Sequence, residues 1–570
     1  MCAFQFLRRR RLSAAILRGL PTDTDRRQRS AFLGVAALGL ACHALSASAT
    51  TYVVDTALDP GLGGTTSLRQ AIFQANASAN NIVQFAPALN GSTLTLQNGE
   101  IAVTEPMYIV GPGADKLTIR GNDASRIFNI STVSATPIAV TLSGLKFTHA
   151  KASGNFGGAI RAQNVSLTVE NAVLDYNAAL FGAAIYSSGT NATVSVISGT
   201  TISENTAPDG GGLYFHIGSS LHIADSVLDS NTGTKEFGGG RLYELSSVII
   251  ERTRITNNKS QILSGGGLSI DGHNASYPMA QISGSTITAN TAGNDGGGLA
   301  LFRVDAILTS DTISGNSANN GGGIFVFDPQ SPPTTQLTLQ QSTISGNTGS
   351  TLGGGIYVER ALGVSVSRSL ISANNAYDPA GGGGGIALGY VKNPTQVNDS
   401  TIYANYAYNN GGGVGIFGSS GQTTFSGNTI TNNFTFNYGS NGILGAGSTN
   451  LYDSVVANNF SHAGNQDIDG FFGETYSLVR NVGTAFVFGN HNKNGQDPLL
   501  GPLAVNGGPT LTMMPALSSP LLDAGGPLLT GSDQRGLPRS ANGRRDIGAV
   551  ERQYPEDVIF RNGFDTLFPG

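Results

Sequence analysis

Asp311-Thr-Ile-Ser-Gly-Asn316, Gly321-Gly-Gly-Ile-Phe-Val-Phe327, Gln336-Leu-Thr-Leu-Gln340 and Ser342-Thr-Ile-Ser-Gly-Asn347 follow one another along the chain, and the last phrase repeats the first. The pattern of an aliphatic residue followed three positions later by asparagine recurs from about residue 143 to 460. Its aliphatic members are Leu174, Ile202, Leu228, Ile255, Ile287, Ile313, Ile344, Ile371, Ile402, Ile430 and Val456. Each leads an asparagine: Asn177, Asn205, Asn231, Asn258, Asn290, Asn316, Asn347, Asn374, Asn405, Asn433 and Asn459. Successive copies stand roughly 26 to 32 residues apart, the range of solenoid repeats.

After each asparagine come a variable stretch, two or three glycines, an aliphatic residue and an alternating run, as in Gly210-Gly-Gly-Leu-Tyr-Phe215 and Gly353-Gly-Gly-Ile-Tyr-Val358. A third alternating run often lies between these phrases. Three short strands per repeat cannot bury a face alone, whereas stacked coils share one continuous core. The sequence thus predicts an all-β chain wound as a single-stranded right-handed parallel β-helix, a solenoid of the pectin-lyase-like kind. Some twelve coils at about 4.8 Å each would span on the order of 60 Å. A helical solenoid needs longer runs with a 3.6 period. A propeller needs blades of four antiparallel strands. Calcium-binding nonapeptide repeats need Gly-Gly-x-Gly-x-Asp tandems, which the sequence lacks.

Asparagine suits a sharp coil corner because it tolerates the left-handed conformation, and stacked asparagines can form a hydrogen-bonded ladder. The glycines permit positive φ and close approach of neighbouring coils. A phosphate-cradling loop would need a lysine and a helix after them, and neither is present.

Composition agrees with a folded β-rich chain. The 570 residues include 79 glycines and no tryptophan, and only 12% are charged. Arg8 to Arg11, Arg18, Arg26, Arg27 and Arg29 precede an apolar run from Ala31 to Cys42 and an Ala47-Ser-Ala49 cleavage pattern. This reads as a signal peptide over 1–49 with a mature chain from Thr50. Acylation at Cys42 is the rival reading. Cys2 and Cys42 are the only cysteines, so the mature chain would carry no disulfide. Loss of the basic leader leaves a chain more acidic than the formal −5, which argues against nucleic acid as a partner. No later apolar run is long enough for a transmembrane helix.

Gly157-Gly-Ala-Ile160, Gly182-Ala-Ala-Ile185 and the later glycine triplets resemble the GGA[ILV] motif of chlamydial polymorphic outer-membrane proteins. The aliphatic-x-x-Asn column resembles their FxxN motif, with Ile or Leu for Phe. The resemblance implies a surface-exposed β-helix used in adhesion, although the large translocating barrel of that family is not readable after Asn459. Tyr52-Val-Val-Asp55 and Ser67-Leu-Arg-Gln-Ala-Ile-Phe-Gln-Ala-Asn76 resemble a CSLREA domain, with Thr66 and Gln70 in place of its cysteine and glutamate. Leu68, Ala71, Ile72 and Ala75 form one helical face with Thr66 or Ser67 as N-cap, so this segment reads as a lid over the first coil. Asp497-Pro-Leu-Leu-Gly-Pro-Leu503, Asn506-Gly-Gly-Pro-Thr510, Ser519-Pro-Leu-Leu-Asp-Ala-Gly525, Asp533-Gln-Arg-Gly536 and Asp546-Ile-Gly-Ala-Val-Glu551 resemble the choice-of-anchor Q domain of exported proteins. The expected organisation is a leader to 49, a cap and opening coils over 50–142, repeats over 143–470, a C-terminal cap over 471–551, and a tail over 552–570. That tail, with Asp557-Val-Ile-Phe-Arg-Asn-Gly-Phe-Asp565, reads as a sorting tag or a last strand.

The residues give no catalytic constellation, metal site or cofactor motif. Three positions before the core aliphatic stand Asp225, Arg252, Gly284, Ser310, Gln341, Arg368, Asp399, Gly427 and Asp453. The opposite signs of Asp225/Arg252 and Arg368/Asp399 predict ion pairs between coils and no carboxylate cluster. Asp271-Gly-His-Asn274 reads as a loop, His216 and His222 as solvent-facing. Asp523, Asp533, Arg535, Arg539, Asp546 and Glu551 read as a salt-bridged cap. Tyr403, Tyr406, Tyr408 and Phe417 gather aromatics in one coil region, readable as a carbohydrate-stacking patch or as stacked core and surface ladders. The variable turns Asp328 to Thr335 and Tyr377 to Gly385 are candidates for presentation to a partner. The expected role is a non-catalytic surface or extracellular scaffold for adhesion or glycan contact, its partner a carbohydrate or another cell's surface. The alternative is a polysaccharide lyase or hydrolase. Oligomeric state is left open.

Overall fold

A computed structural model describes residues 49–553, apart from 190–192, 218–219, 274–277, 419–420, 438, 463, 528–529 and 540–542. Residues 1–49 and 50–570 are separate units, and the fold belongs to the second. Residues 1–48 of the expected leader and 554–570 of the expected tail lie outside the described residues.

One coil shows the construction. Strands Ser220–Ala224, Val227–Asp229, Thr232–Glu236 and Gly240–Tyr243 pair in parallel with Ser247–Glu251, Arg254–Thr256, Lys259–Ser260 and Leu268–Asp271 of the next coil. Repetition gives four parallel sheets, here called first to fourth in that order, of 17, 15, 12 and 14 strands. The 15 strands of the second sheet follow the coils, about 70 Å of stacking at the parallel spacing. The sequence reading expects three strands per coil. The missed one is the third, which falls to two residues in Lys259–Ser260 and Thr291–Ala292, too short for alternation to show.

Inside, side chains stack in rows. Ile287, Ile313, Ile344 and Ile371 are Cα partners along the second sheet and are fully buried. The first and fourth sheets add inner rows such as Ile250–Ile282–Leu308 and Leu268–Leu299–Ile324. Each coil is useless alone and apolar on the inside, so the stack is a one-dimensional array whose free energy comes from neighbours.

Single left-handed residues make the corners. Asp225, Arg252, Ser310, Gln341, Arg368, Asp399 and Asp453 all have φ between 47° and 58° where the first sheet turns into the second. The next corner holds Glu204, Ser230, Asn257, Ala289 and Ala373, φ 53–56°, each immediately before a repeat asparagine. The repeat asparagines themselves are not left-handed, which corrects that part of the sequence reading. The glycine triplets divide two tasks. Gly210 and Gly321 have φ of 64° and 58°, whereas Gly211 and Gly212 are needed for space: a Cβ there would lie 2.4 and 2.6 Å from the carbonyl oxygens of Gly238 and Gly239.

Both ends are closed. Helix Leu68–Ala75 buries Leu68, Ala71, Ile72 and Ala75 against the opening coils. Ser67 is its N-cap, in a capping box with Gln70. At the other end the coils continue past 470, to strand Phe486–Asn490. The loop beyond seals them: Asn492 and Asn494 side chains accept from the Ser477 and Val479 N–H groups, and Asn494 donates to the buried Glu474 at 2.8 Å. The residues after 497 lie on the flank of the second sheet, where Leu521 and Ile547 pack on Val455, Ala457 and Leu478. They are a side buttress, in contrast to the end cap read from the sequence. Among the described residues no helix is long and apolar enough to cross a membrane.

Candidate functional site

The repeat asparagines form a ladder inside the solenoid. The Asn205 Nδ2 donates to the Leu174 carbonyl and to Asn231 Oδ1, both at 2.9 Å, and its backbone N–H donates to the same Oδ1 at 3.2 Å. Equivalent bonds run through Asn258, Asn290, Asn316, Asn347, Asn374, Asn405 and Asn433 to Asn459. Asn177 joins at the upper end. Asp467 takes the next place, accepting from the Asn459 side chain at 2.8 Å. Burial pushes its carboxyl up to about 6, against the pull of those hydrogen bonds.

A second ladder, missed by the sequence reading, stands two positions before the core aliphatic. From Thr253 to Ser477 the backbone N–H of each member donates to the side-chain oxygen of the next: Ser285, Asp311, Ser342, Ser369, Ser400, Asn428, Ser454 and Ser477. The hydroxyls then donate to the carbonyl two residues back. Its signal was present as the small polar residue preceding each strand of the second sheet. The members of both ladders are buried and hydrogen-bonded to one another and to the backbone.

The corner column holds one of the two expected ion pairs. Arg252 binds Asp225 through Nε at 2.7 Å. Arg368 and Asp399 are not paired. Asp399 is taken by Arg539, whose Nε lies 2.9 Å from Oδ1, because the buttress inserts a buried guanidinium there. Arg539 also reaches the carbonyls of Gly427 and Gly548. A Cβ at Gly427 would meet Arg539 Nη2 at 2.7 Å, so glycine in this column makes the hole the arginine fills. Arg545 similarly reaches Asp453, while Asp533 takes Arg535 at 2.7 Å. Asp546 accepts the Asp523 and Arg552 N–H groups, and Glu551 that of Asp546. The C-terminal charges are thus spent on holding the buttress.

His216 and His222 lie on different sheets. His216 stacks on Tyr243 at 5.3 Å, and His222 faces Glu251 at 3.5 Å. Asp271 pairs with Arg303 at 2.8 Å and accepts the His273 N–H; Asn274 lies outside the described residues. In the turn from Asp328 to Thr335, the Asp328 carboxylate is buried. That burial is outweighed by the backbone N–H groups of Thr334, Gln330 and Thr335, which hold it below the usual carboxylate range.

Aromatic side chains converge on two tracts. On the third sheet, Tyr406 stacks on Phe434 (5.5 Å), and Phe434 meets Phe460 at a tilt of 48° (5.0 Å). Beside them Tyr408 meets Phe436 (5.0 Å), and His462 sets its edge against both phenylalanines (5.3 and 5.1 Å). Phe436 and Phe460 are 42% and 45% exposed. Of the four aromatics singled out in the sequence, Tyr406 and Tyr408 belong here. Phe417 instead covers Gly382 and Gly415 beside the fourth sheet, and Tyr403 points from the second sheet. Phe434, Phe436, Phe460 and His462 were missed because the third-sheet strands were not recognised.

The other tract lies where the third sheet turns into the fourth, with Phe156 and Phe181 at the ends of third-sheet strands and Tyr186, Tyr214 and Tyr243 on the fourth, and is called the fourth-sheet tract. Phe156 stacks on Tyr186 (4.8 Å), Tyr186 on Tyr214 (5.5 Å), and Phe181 sets its edge against Tyr214 (5.2 Å). Arg241 covers Tyr243 and Phe237 and reaches Asp209 at 3.3 Å. Burial raises the Asp209 carboxyl to about 6, opposed by Arg241 and aided by neighbouring Glu236, its partner in register. Burial likewise pushes the Tyr214 hydroxyl to about 12. Among the described residues no group of three or more His, Cys, Asp or Glu side chains is placed to hold a metal ion.

Four parallel sheets, internal ladders and an outward aromatic surface define the class: a right-handed parallel β-helix. The chain belongs to the family described as the right handed beta helix region, whose model matches residues 136–301 and 267–461, together more than half its length. No curated protein sequence matches it. Among solved structures it is similar to bacteriophage CBA120 tailspike protein 3 (10% identity, 76% of this chain and 59% of the tailspike, TM-score 0.32). It is also similar to pectate lyase Pel9A (13%, 90% and 98%, TM-score 0.25). A third is the catalytic unit of a thermostable α-1,3-glucanase from Streptomyces thermodiastaticus (13%, 74% and 71%, TM-score 0.29). The chain thus spans 59% of the tailspike's length.

Proposed function

We propose that this protein is exported and serves at the cell surface or outside the cell as a rigid, non-catalytic scaffold that contacts glycans. The leader-like N-terminus and the resemblances to polymorphic outer-membrane, CSLREA and choice-of-anchor Q sequences support export and a surface role. One observation carries the glycan part: the third-sheet tract, where Tyr406, Phe434, Phe460, Tyr408 and Phe436 meet ring to ring coil upon coil, with Phe436 and Phe460 exposed to solvent. Such a tract offers an exposed apolar surface against which the C–H groups of sugar rings can pack. Calorimetric titration with a panel of soluble polysaccharides tests this. At least one glycan binds, and a Phe436→Ala, Phe460→Ala double variant with unchanged circular dichroism loses at least tenfold in affinity. Absence of binding across the panel would sink the reading.

A second reading, a polysaccharide lyase or hydrolase, draws on the acid-base pair Asp209 and Arg241 beside Tyr214 and Glu236. A screen on acidic polysaccharides with and without Ca²⁺ decides. Turnover abolished by Asp209→Asn favours that reading over the scaffold.

A further inference from the structure

We infer that the glycan contacted by the third-sheet tract is uncharged and lies along the solenoid axis with about one sugar unit over each coil. This rests on the proposed glycan contact and names its chemical class.

The first ground is charge. From Ser400 to Tyr452 the sequence contains no Asp, Glu, Lys, Arg or His, and this segment supplies Tyr406, Tyr408, Phe434 and Phe436. Amides stand among the rings: Asn437 Nδ2 donates to Asn409 Oδ1 at 3.1 Å, one coil away. Charges bordering the segment are engaged elsewhere. Asp399 and Asp453 hold Arg539 and Arg545 on the opposite flank, and Asp467 is buried in the asparagine ladder. Asp378, at the upper edge, accepts the Ala380 N–H. His462 sets its imidazole edge within the tract. The fourth-sheet tract differs, since its rings stand among Asp209, Arg241, Asp271 and Arg303. An anionic sugar on the third-sheet tract would lose hydration with no lysine or arginine among the described residues of the tract to offset it, whereas a neutral sugar needs only apolar contact and amide hydrogen bonds.

The second ground is direction. Tyr406, Phe434 and Phe460 are partners in register in three successive coils, and Tyr408, Phe436 and His462 form the row beside them. The rings therefore repeat along the axis at 5.0–5.5 Å. A chain laid across the coils would meet only two rings, whereas one laid along them meets a ring at every coil.

The test is titration with length series of neutral gluco- and manno-oligosaccharides and of polygalacturonate and alginate oligomers, at about 0.02 M and about 0.5 M NaCl. The expected result is binding of a neutral series with affinity rising up to about three units, one for each coil of the tract, less than twofold change with salt, and at least tenfold loss in Phe436→Ala. Tighter, salt-sensitive binding of the anionic series overturns the inference while leaving glycan contact standing. So does neutral binding that is complete with a single sugar. No binding of either series overturns the inference together with the reading beneath it.

Discussion

The backbone N–H of Ser285 donates to Asp311 Oδ1 at 2.8 Å, one coil further along the solenoid. Asp311 thereby takes the place of a hydroxyl in a column of serines and threonines. Where a serine would donate to the carbonyl two residues back, Asp311 accepts the Thr309 N–H at 3.0 Å. The carboxylate is 1% exposed, and burial raises it to about 7 despite these two bonds.

Asp311 therefore makes stability depend on pH. An acid whose pKa is higher folded than unfolded binds more protons in the folded state between the two values. Its contribution is intact below about pH 4 and is lost as pH rises to about 7. Asp311→Ser restores the column, raising the unfolding free energy by about 1–3 kcal/mol at pH 8 and leaving it nearly unchanged at pH 4. Denaturant melts at the two pH values check this; equal gains at both would show that the carboxylate is not the cause.

Asn316 is held on both sides, donating to the Ile287 carbonyl and Asn347 Oδ1 and accepting from Asn290. Asn316→Leu strands two buried N–H donors of Asn290 and costs about 2–4 kcal/mol, whereas Asn437→Ala on the exposed face costs less than about 0.5. Equilibrium unfolding measures both, and similar losses would mean the internal ladder adds nothing special.

Gly212 has ordinary φ but no room: a Cβ would lie 2.6 Å from the Gly239 oxygen and 3.1 Å from Asn231 Cγ. Gly212→Ala costs about 1–3 kcal/mol by pushing coils apart. Gly63→Ala, with nothing within 4 Å of the added carbon, is neutral within about 0.5 kcal/mol. Thermal melts of the pair discriminate spatial constraint from a general glycine effect.

Arg539→Ala empties the socket formed by Asp399 and Gly427 and leaves a largely buried carboxylate without its cation. Burial already raises the Asp399 pKa against the pull of Arg539, so loss of the arginine raises it further. The expected cost is about 3–5 kcal/mol, confined to the buttress. Hydrogen exchange should quicken over residues 519–551 while protection near Ile202 and Ile255 stays as it was; uniform quickening would refute local docking.

Much of the architecture was legible because a stacked solenoid turns sequence period directly into space. Residues a repeat apart become Cα partners, so the column from Leu174 to Val456 could be written down as one inner row. The helix face Leu68, Ala71, Ile72 and Ala75 was readable for the same reason, being local and periodic. Less of the candidate surface was legible. The third strand of each coil is too short for alternation, and with it Phe434, Phe436 and Phe460 escaped notice. The asparagines were assigned the left-handed corner, yet that backbone strain sits one residue earlier, at positions as varied as Glu204, Ser230 and Ala289.

By itself the sequence determined the winding of the chain, the inner aliphatic row and the lid helix, since these rest on contacts between equivalent positions of neighbouring repeats. Tertiary structure alone decided that Asp399 answers Arg539 rather than Arg368, that the C-terminal residues brace a flank, and that rings from separate coils make two surfaces of different charge. Those contacts join segments that share no period, and their partners follow from where non-repeating chain meets the stack.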